Sequence, residues 1–410
     1  MKESKINNTL DFNFSEQDKT ITRSEKFLSF AFCFILYMPI VNYYISFCLK
    51  GLGFETLTII IYPLVYIVSI VSYIYVLKRT IKPIYFLLVF FFLLSLSVLF
   101  FPQNFEAIFT QLFDLPYNPI YRTFFLGFPL LFIPFVICNY TFLNEIARFF
   151  SRFTLLIADF AFLYLIIFSG EHFEYLTFSY YLLLPAVYCF IDSINNKNSF
   201  FFIVSVFSLF LVSFVGSRGA LLSVLVFLLL YCIFFHRDKR KKAFWTTILT
   251  VFILITFLFY EEIIKLLIVL SEAWNFESRS LVNLLDATLF ESEGRDQISH
   301  DLFRAIAQNI FGFGLYGDRP IAGNYAHNIF LEFLVHFGWL FGTILCGLYL
   351  YVTVSPIIFN KYKENFDMYM LYFVLFSSTF VKLMFSDSYL LLPSFWALVS
   401  ISIVIIRSVK

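Results

Sequence analysis

Three residues in a very apolar chain are of types suited to chemistry on an anion: Arg218, Arg295 and His327. Arg218 stands in Val215-Gly216-Ser217-Arg218-Gly219-Ala220, at a break between two apolar runs. A helix starting there points its unpaired N–H groups and positive dipole end at whatever Arg218 faces, which suits an anionic ligand. The plainer alternative is a cation reaching the membrane interface from a tight turn. No Gly-Lys-Ser/Thr follows, so the motif is not a nucleotide-binding P-loop. Arg295 opens Arg295-Asp296-Gln297-Ile298-Ser299-His300, and beside an acid it reads in isolation as a weak surface pair. His327 stands at the mouth of the next apolar run, where a neutral imidazole can take a proton from an incoming hydroxyl. An interfacial side chain bonded to its own loop is the equal alternative.

Other polar groups sit where lipid should exclude them. Glu332 follows Asn328 by one helical turn, on the same face, and inside a membrane it needs a partner or a proton. Lys382 lies near the end of a later run, placed either to add charge to the same site or to pair with Asp387, and Asp159 is a further intramembrane acid. His172, His300 and His336 have no companions at metal-ligand spacing. No Asp-x-Asp pair appears in the large loop, so neither a metal site nor nucleotide-sugar chemistry is expected there, and no cofactor is implied.

Transmembrane helices must position these groups. The chain of 410 residues is 60% hydrophobic and 22% aromatic, with a net charge of +1, a composition that water-soluble cores cannot bury. Runs of about 20 apolar residues place spans near 27–49, 57–77, 83–101, 120–140, 153–169, 175–191, 200–215, 219–235, 243–260, 327–352, 369–385 and 389–406. The expected fold is therefore an all-α polytopic membrane protein of about twelve helices. The run after the polar tail of residues 1–26 is too long for a signal-peptide core, so it reads as the first span. With both termini cytoplasmic, the inner segments hold 20 of the 29 Lys and Arg, as the positive-inside rule requires. The run His236-Arg237-Asp238-Lys239-Arg240-Lys241-Lys242 is the strongest inner anchor and reads as topology, not as nucleic-acid binding. Six cysteines lie in or beside apolar runs without a C-x-x-C and read as small hydrophobes.

Four regions follow: the tail 1–26, helices one to nine over 27–260, a large outer loop over 261–326, and helices ten to twelve with a short cytoplasmic end over 327–410. The loop carries ten acids and five bases. Within it Ile298, Leu302, Ala305 and Ile306 recur at helical spacing, and Glu261 to Trp274 forms a second amphipathic candidate. A connection this long is usually functional.

In order, Ser217-Arg218-Gly219-Ala220-Leu221-Leu222, a late outer loop with Gly294-Arg295, Phe311-Gly312-Phe313-Gly314, Ala326-His327-Asn328, Leu331-Glu332 and Gly338 resemble the O-antigen ligase and Wzy-type O-antigen polymerase superfamily. The likeness covers roughly 200–350. It implies a GT-C type inverting glycosyltransferase of the bacterial inner membrane, working on the periplasmic face without metal or nucleotide. The implied donor is a glycan on undecaprenyl diphosphate. By this resemblance Arg218 and Arg295 hold the diphosphate and His327 activates the acceptor hydroxyl, with Asn328, Glu332 and Lys382 in support. Two guanidinium groups can neutralise a departing diphosphate through bidentate hydrogen bonds. A polymerase, whose acceptor is a lipid-linked repeat unit and whose partner is a chain-length regulator, is the expectation. A ligase acting on lipid A-core is the alternative, since the shared motifs do not separate the acceptors. A twelve-span lipid or solute transporter is the competing class, disfavoured because no repeat symmetry or pair of broken helices is visible.

Overall fold

The computed structural model describes residues 21–51, 61–109, 118–168, 175–215, 218–235, 258–273, 295–358 and 366–408, with a few more between 240 and 251. Most of the 1–26 tail, the run 236–242 apart from Arg240, and the loop segment 274–294 lie outside the described residues. Backbone groups facing lipid must be satisfied within their own segment, and the described residues accordingly form helices and no strand. These are α1 (Arg23–Gly51), α2 (Ile61–Leu77), α3 (Lys82–Phe100), α4 (Gln103–Phe109), α5 (Pro119–Phe135), α6 (Tyr140–Phe168), α7 (Tyr175–Asn196), α8 (Ser199–Val215), α9 (Arg218–Leu230), α10 (Tyr260–Ala273), α11 (Arg295–Gln308), α12 (Asp318–Ala322), α13 (Ile329–Ile358), α14 (Phe366–Phe385) and α15 (Pro393–Arg407). Among them α1, α3, α7, α13 and α14 are long and apolar enough to cross a membrane. Helices α2, α5, α8, α9 and α15 are apolar but shorter.

Two polar ends bracket an apolar middle. At one end Arg148 and Arg152 of α6 reach Asp192 of α7 at 2.7 and 2.8 Å, and Arg79 after α2 donates to the Val136 carbonyl at 2.7 Å. Residues 141–152, between the expected spans 120–140 and 153–169, form the first turns of α6, and Asp192 supplies the charge that partners its two arginines. The opposite end collects the C-terminus of α14, the N-termini of α9 and α11, and the start of α13.

The expected tenth span, 327–352, is not one helix. Gly338 has φ 75° and ψ 178°, a conformation open essentially to glycine, and it divides α13 into segments 329–337 and 339–358. The loop before α12 docks into the break: the amides of Phe313 and Gly314 donate to the carbonyls of Val335 and His336 at 2.7 and 3.1 Å, and that of Trp339 donates to Ile310 at 2.9 Å. The second segment then returns beside the first, bringing Tyr349 against Phe330 and Phe333 and Cys346 against the Phe330 carbonyl. Only 339–358 is free to continue toward the other end.

Helix α11 forms where the apolar spacing places it. Leu302 and Ile306 are fully buried against Ala326, Leu331 and Val335, a small core separate from that of the main bundle. Each such side chain contributes roughly 1.5–3 kcal/mol on burial, which clamps α11 onto the first segment of α13 and sets Arg295 and His327 near one another.

Candidate active site

The last carbonyls of a helix have no partner within it and carry the negative end of its dipole. At the end of α14 these groups become the anchor of the site. Arg295 Nη1 donates to the Phe385 carbonyl at 2.8 Å, the Asn328 side-chain amide to Met384 at 3.3 Å, and the Tyr325 hydroxyl to Ser386 at 3.2 Å. Three side chains from two segments therefore converge on three consecutive residues. The start of α9 abuts the same place: Tyr180 pairs with the Ser386 hydroxyl at 2.7 Å, and a Cβ at position 219 would fall on the Tyr180 hydroxyl, so only glycine fits there. The Arg218 side chain lies outside the described residues, although its backbone opens α9 as expected.

His327 is a non-glycine residue at φ 54°, in the left-handed region. Both neighbours are fixed. The Ala326 amide donates to Asp318 Oδ2 at 3.0 Å, and Asn328 Oδ1 accepts from the amides of Phe330 and Leu331 at 3.0 and 3.2 Å, capping α13. Its Nδ1 is buried and has no hydrogen-bond partner among the described residues. Burial, and next the charge of Arg295, hold the ring below the usual histidine range, so it is neutral near pH 7 with a nitrogen open to a proton donor.

The supporting residues are placed as follows. Glu332 is fully buried, accepts from Ser388 Oγ, and accepts from the Tyr389 amide at 3.2 Å. Lys382 pairs with Asp387 at 2.9 Å. Asp159 lies away from the site and accepts from Ser208 Oγ at 2.9 and 3.0 Å. His172 lies outside the described residues, and His300 is an exposed side chain 3.6 Å from Asp301.

For His336 the sequence expectation is corrected. It does have companions: Asp318, Glu332 and His336 are buried with candidate ligand atoms within 4.8 Å of one another, brought together by the fold of α12 against α13. By distance these three are, among the described residues, the ones able to hold a metal ion. His336 already meets Asp318 at 3.2 Å and the Tyr389 hydroxyl at 3.0 Å, however, and the Arg319 charge acts on both acids. A guanidinium beside two acids whose oxygens accept hydrogen bonds suits an internal polar network better than a cation site.

Arg122 and Arg319 are the groups that sequence reasoning missed. Arg319 stacks on Tyr316 at 4.6 Å, and its two terminal nitrogens are buried without a hydrogen bond among the described residues. Burial, then the Asp387 charge, push the Tyr325 hydroxyl up, while Arg295, Arg122 and Arg319 act against them, so three guanidinium groups lie within electrostatic reach of this ring.

The stretch that carries this geometry is also where the chain is similar to a known family. Residues 203–346, from α8 into α13, match the family described as O-antigen ligase, and the resemblance to the O-antigen ligase and polymerase superfamily holds over that stretch. Neither the curated proteins nor the solved structures provide a match.

Proposed function

We propose that this protein is a membrane glycosyltransferase that moves a glycan from undecaprenyl diphosphate to a lipid-linked repeat unit on the periplasmic face. The observation that carries this reading is the meeting of Arg295 and a neutral His327 with an unfilled Nδ1 at the end of α14. In the proposed reaction the acceptor hydroxyl oxygen attacks the anomeric carbon with inversion. His327 takes the hydroxyl proton, and the bond from the anomeric carbon to the diphosphate oxygen breaks. Arg295 and Arg218 stabilise the charge growing on the departing undecaprenyl diphosphate, so no metal or nucleotide is called for. The basic end of the bundle, with Arg79, Arg148 and Arg152, would face the cytoplasm.

A ligase reading, with lipid A-core as acceptor, fits the matched family equally and uses the same donor chemistry. A deletion strain on a lipopolysaccharide gel separates the two. Loss of a polymerase leaves core bearing at most one repeat unit, and loss of a ligase leaves bare core with lipid-linked chains accumulating. Reconstituted transfer tests the shared chemistry: Arg218, Arg295 and His327 variants that all transfer at the wild-type rate would refute the reading.

A further inference from the structure

One turn deeper along α14 than Ser386 lies a second concentration of charge. A cavity of about 40 Å³ is bounded by Arg122 of α5, Tyr180 and Tyr181 of α7, and Lys382 of α14, with apolar walls from α1 that include Leu36 and Ile40. At roughly 10–15 Å³ for each water on this measure, it has room for about three waters or one phosphate group.

Three features point to an anion there. First, among the described residues the charges do not balance: Lys382 is paired with Asp387 at 2.9 Å, the same carboxylate is the acid acting on Arg122, and two cations stand against one anion in a low-dielectric place. Second, the polar lining is arranged around those cations. Arg122 and Tyr181 share the cavity wall, and the Lys382 ammonium lies 5.2 and 5.4 Å from the centres of the Tyr180 and Tyr181 rings. Third, Arg122 opens a π-helical stretch, Arg122–Gly127, a local distortion that recurs at functional positions. Tyr180 joins the cavity to the site above through its bond to Ser386.

We propose that Arg122 and Lys382, with the Tyr181 hydroxyl, form a second phosphate site that holds the headgroup of a polyprenyl-linked acceptor beside the donor held by Arg218 and Arg295. This rests on the transferase reading and deepens it, because an acceptor bearing its own lipid phosphate is what a polymerase uses. The cavity's apolar walls suit the first isoprene units, and Tyr180 links it to Ser386 at the end of α14.

The test is a binding count on the full-length protein in lipid nanodiscs, with undecaprenyl diphosphate as probe and native mass spectrometry as readout. Wild type should hold two lipids. Arg122→Gln should hold one, and Tyr181→Phe, which keeps the ring, should weaken the second binding event about tenfold, the scale of a lost hydrogen bond to a charged group. Arg295→Gln should spare that event. A wild-type count of one, or two lipids retained at wild-type affinity by both Arg122→Gln and Tyr181→Phe, would overturn the proposal. Inorganic phosphate competing as well as the lipid would overturn the assignment to a lipid headgroup. Because binding is read without turnover, a wild-type protein that binds two lipids but transfers nothing would refute the transferase reading alone.

Discussion

Replacing Gly338 with alanine tests whether the break in α13 positions the active site. A side chain at φ 75° and ψ 178° costs on the order of 1–3 kcal/mol in backbone strain. The added Cβ would also clash with the Ile310 carbonyl and the Phe311 backbone, and such overpacking costs about another 1–3 kcal/mol. A destabilisation of roughly 2–6 kcal/mol is therefore expected if the contacts hold. If they give way instead, the docked segment 310–314 leaves the break, and the loop that leads to His327 loses its anchor. The control is Gly347→Ala, in the second segment, where a Cβ meets nothing within 4 Å. Alanine there should be neutral or stabilising by up to about 1 kcal/mol from helix propensity. Thermal unfolding of both variants in the same detergent, with transfer activity measured in parallel, provides the comparison. A Gly338→Ala protein as stable and active as wild type, or a Gly347→Ala protein equally damaged, would refute the account of α13 as a hairpin pinned at its turn.

Four further outcomes follow from the site and the bundle. His327→Gln should lower kcat by about 10²–10⁴ with little change in donor binding, as removal of a general base does; single-turnover transfer with saturating donor checks it. The acid limb of kcat/KM should fall below the ordinary histidine value, since activity is lost as pH drops through a lowered His327 pKa. Arg295→Gln removes a charge that depresses that pKa, so the limb should move to higher pH, and a limb that stays in place in the pH–rate profile would count against His327 as the base. Asn328→Ala removes the cap of α13 and should cost about 0.5–2 kcal/mol in thermal unfolding. Asp192→Asn leaves Arg148 and Arg152 without their carboxylate at the basic end; because both arginines are about a third exposed or less, about 1–3 kcal/mol is expected in unfolding, with transfer kinetics unchanged once folded.

Much of the site was legible because its local signals are strong. The spacing of Ile298, Leu302, Ala305 and Ile306 fixes both the helix and the face that buries. The break at Gly338 was not legible, since a single glycine in an apolar run is compatible with a continuous helix and only the docking of 310–314 demands φ near 75°. Arg122 was passed over as one charge at the edge of an apolar stretch. The available signal was its position in Tyr121-Arg122-Thr123, inside the run assigned to a span, where a cation needs a reason. The companions of His336 escaped for another cause: Asp318 is eighteen residues away and meets it only because the chain doubles back.

The site's anchor consists of the main-chain carbonyls of Met384, Phe385 and Ser386, which Asn328, Arg295 and Tyr325 reach from elsewhere. Main-chain atoms are common to every residue type. Substitutions at Met384 and Phe385 can thus leave the anchoring intact, and a mutational scan would register tolerance there while recording losses at the residues that come to dock. The position most central to holding the active site together is in this sense nearly invisible to genetics, and is revealed by the partners that depend on it.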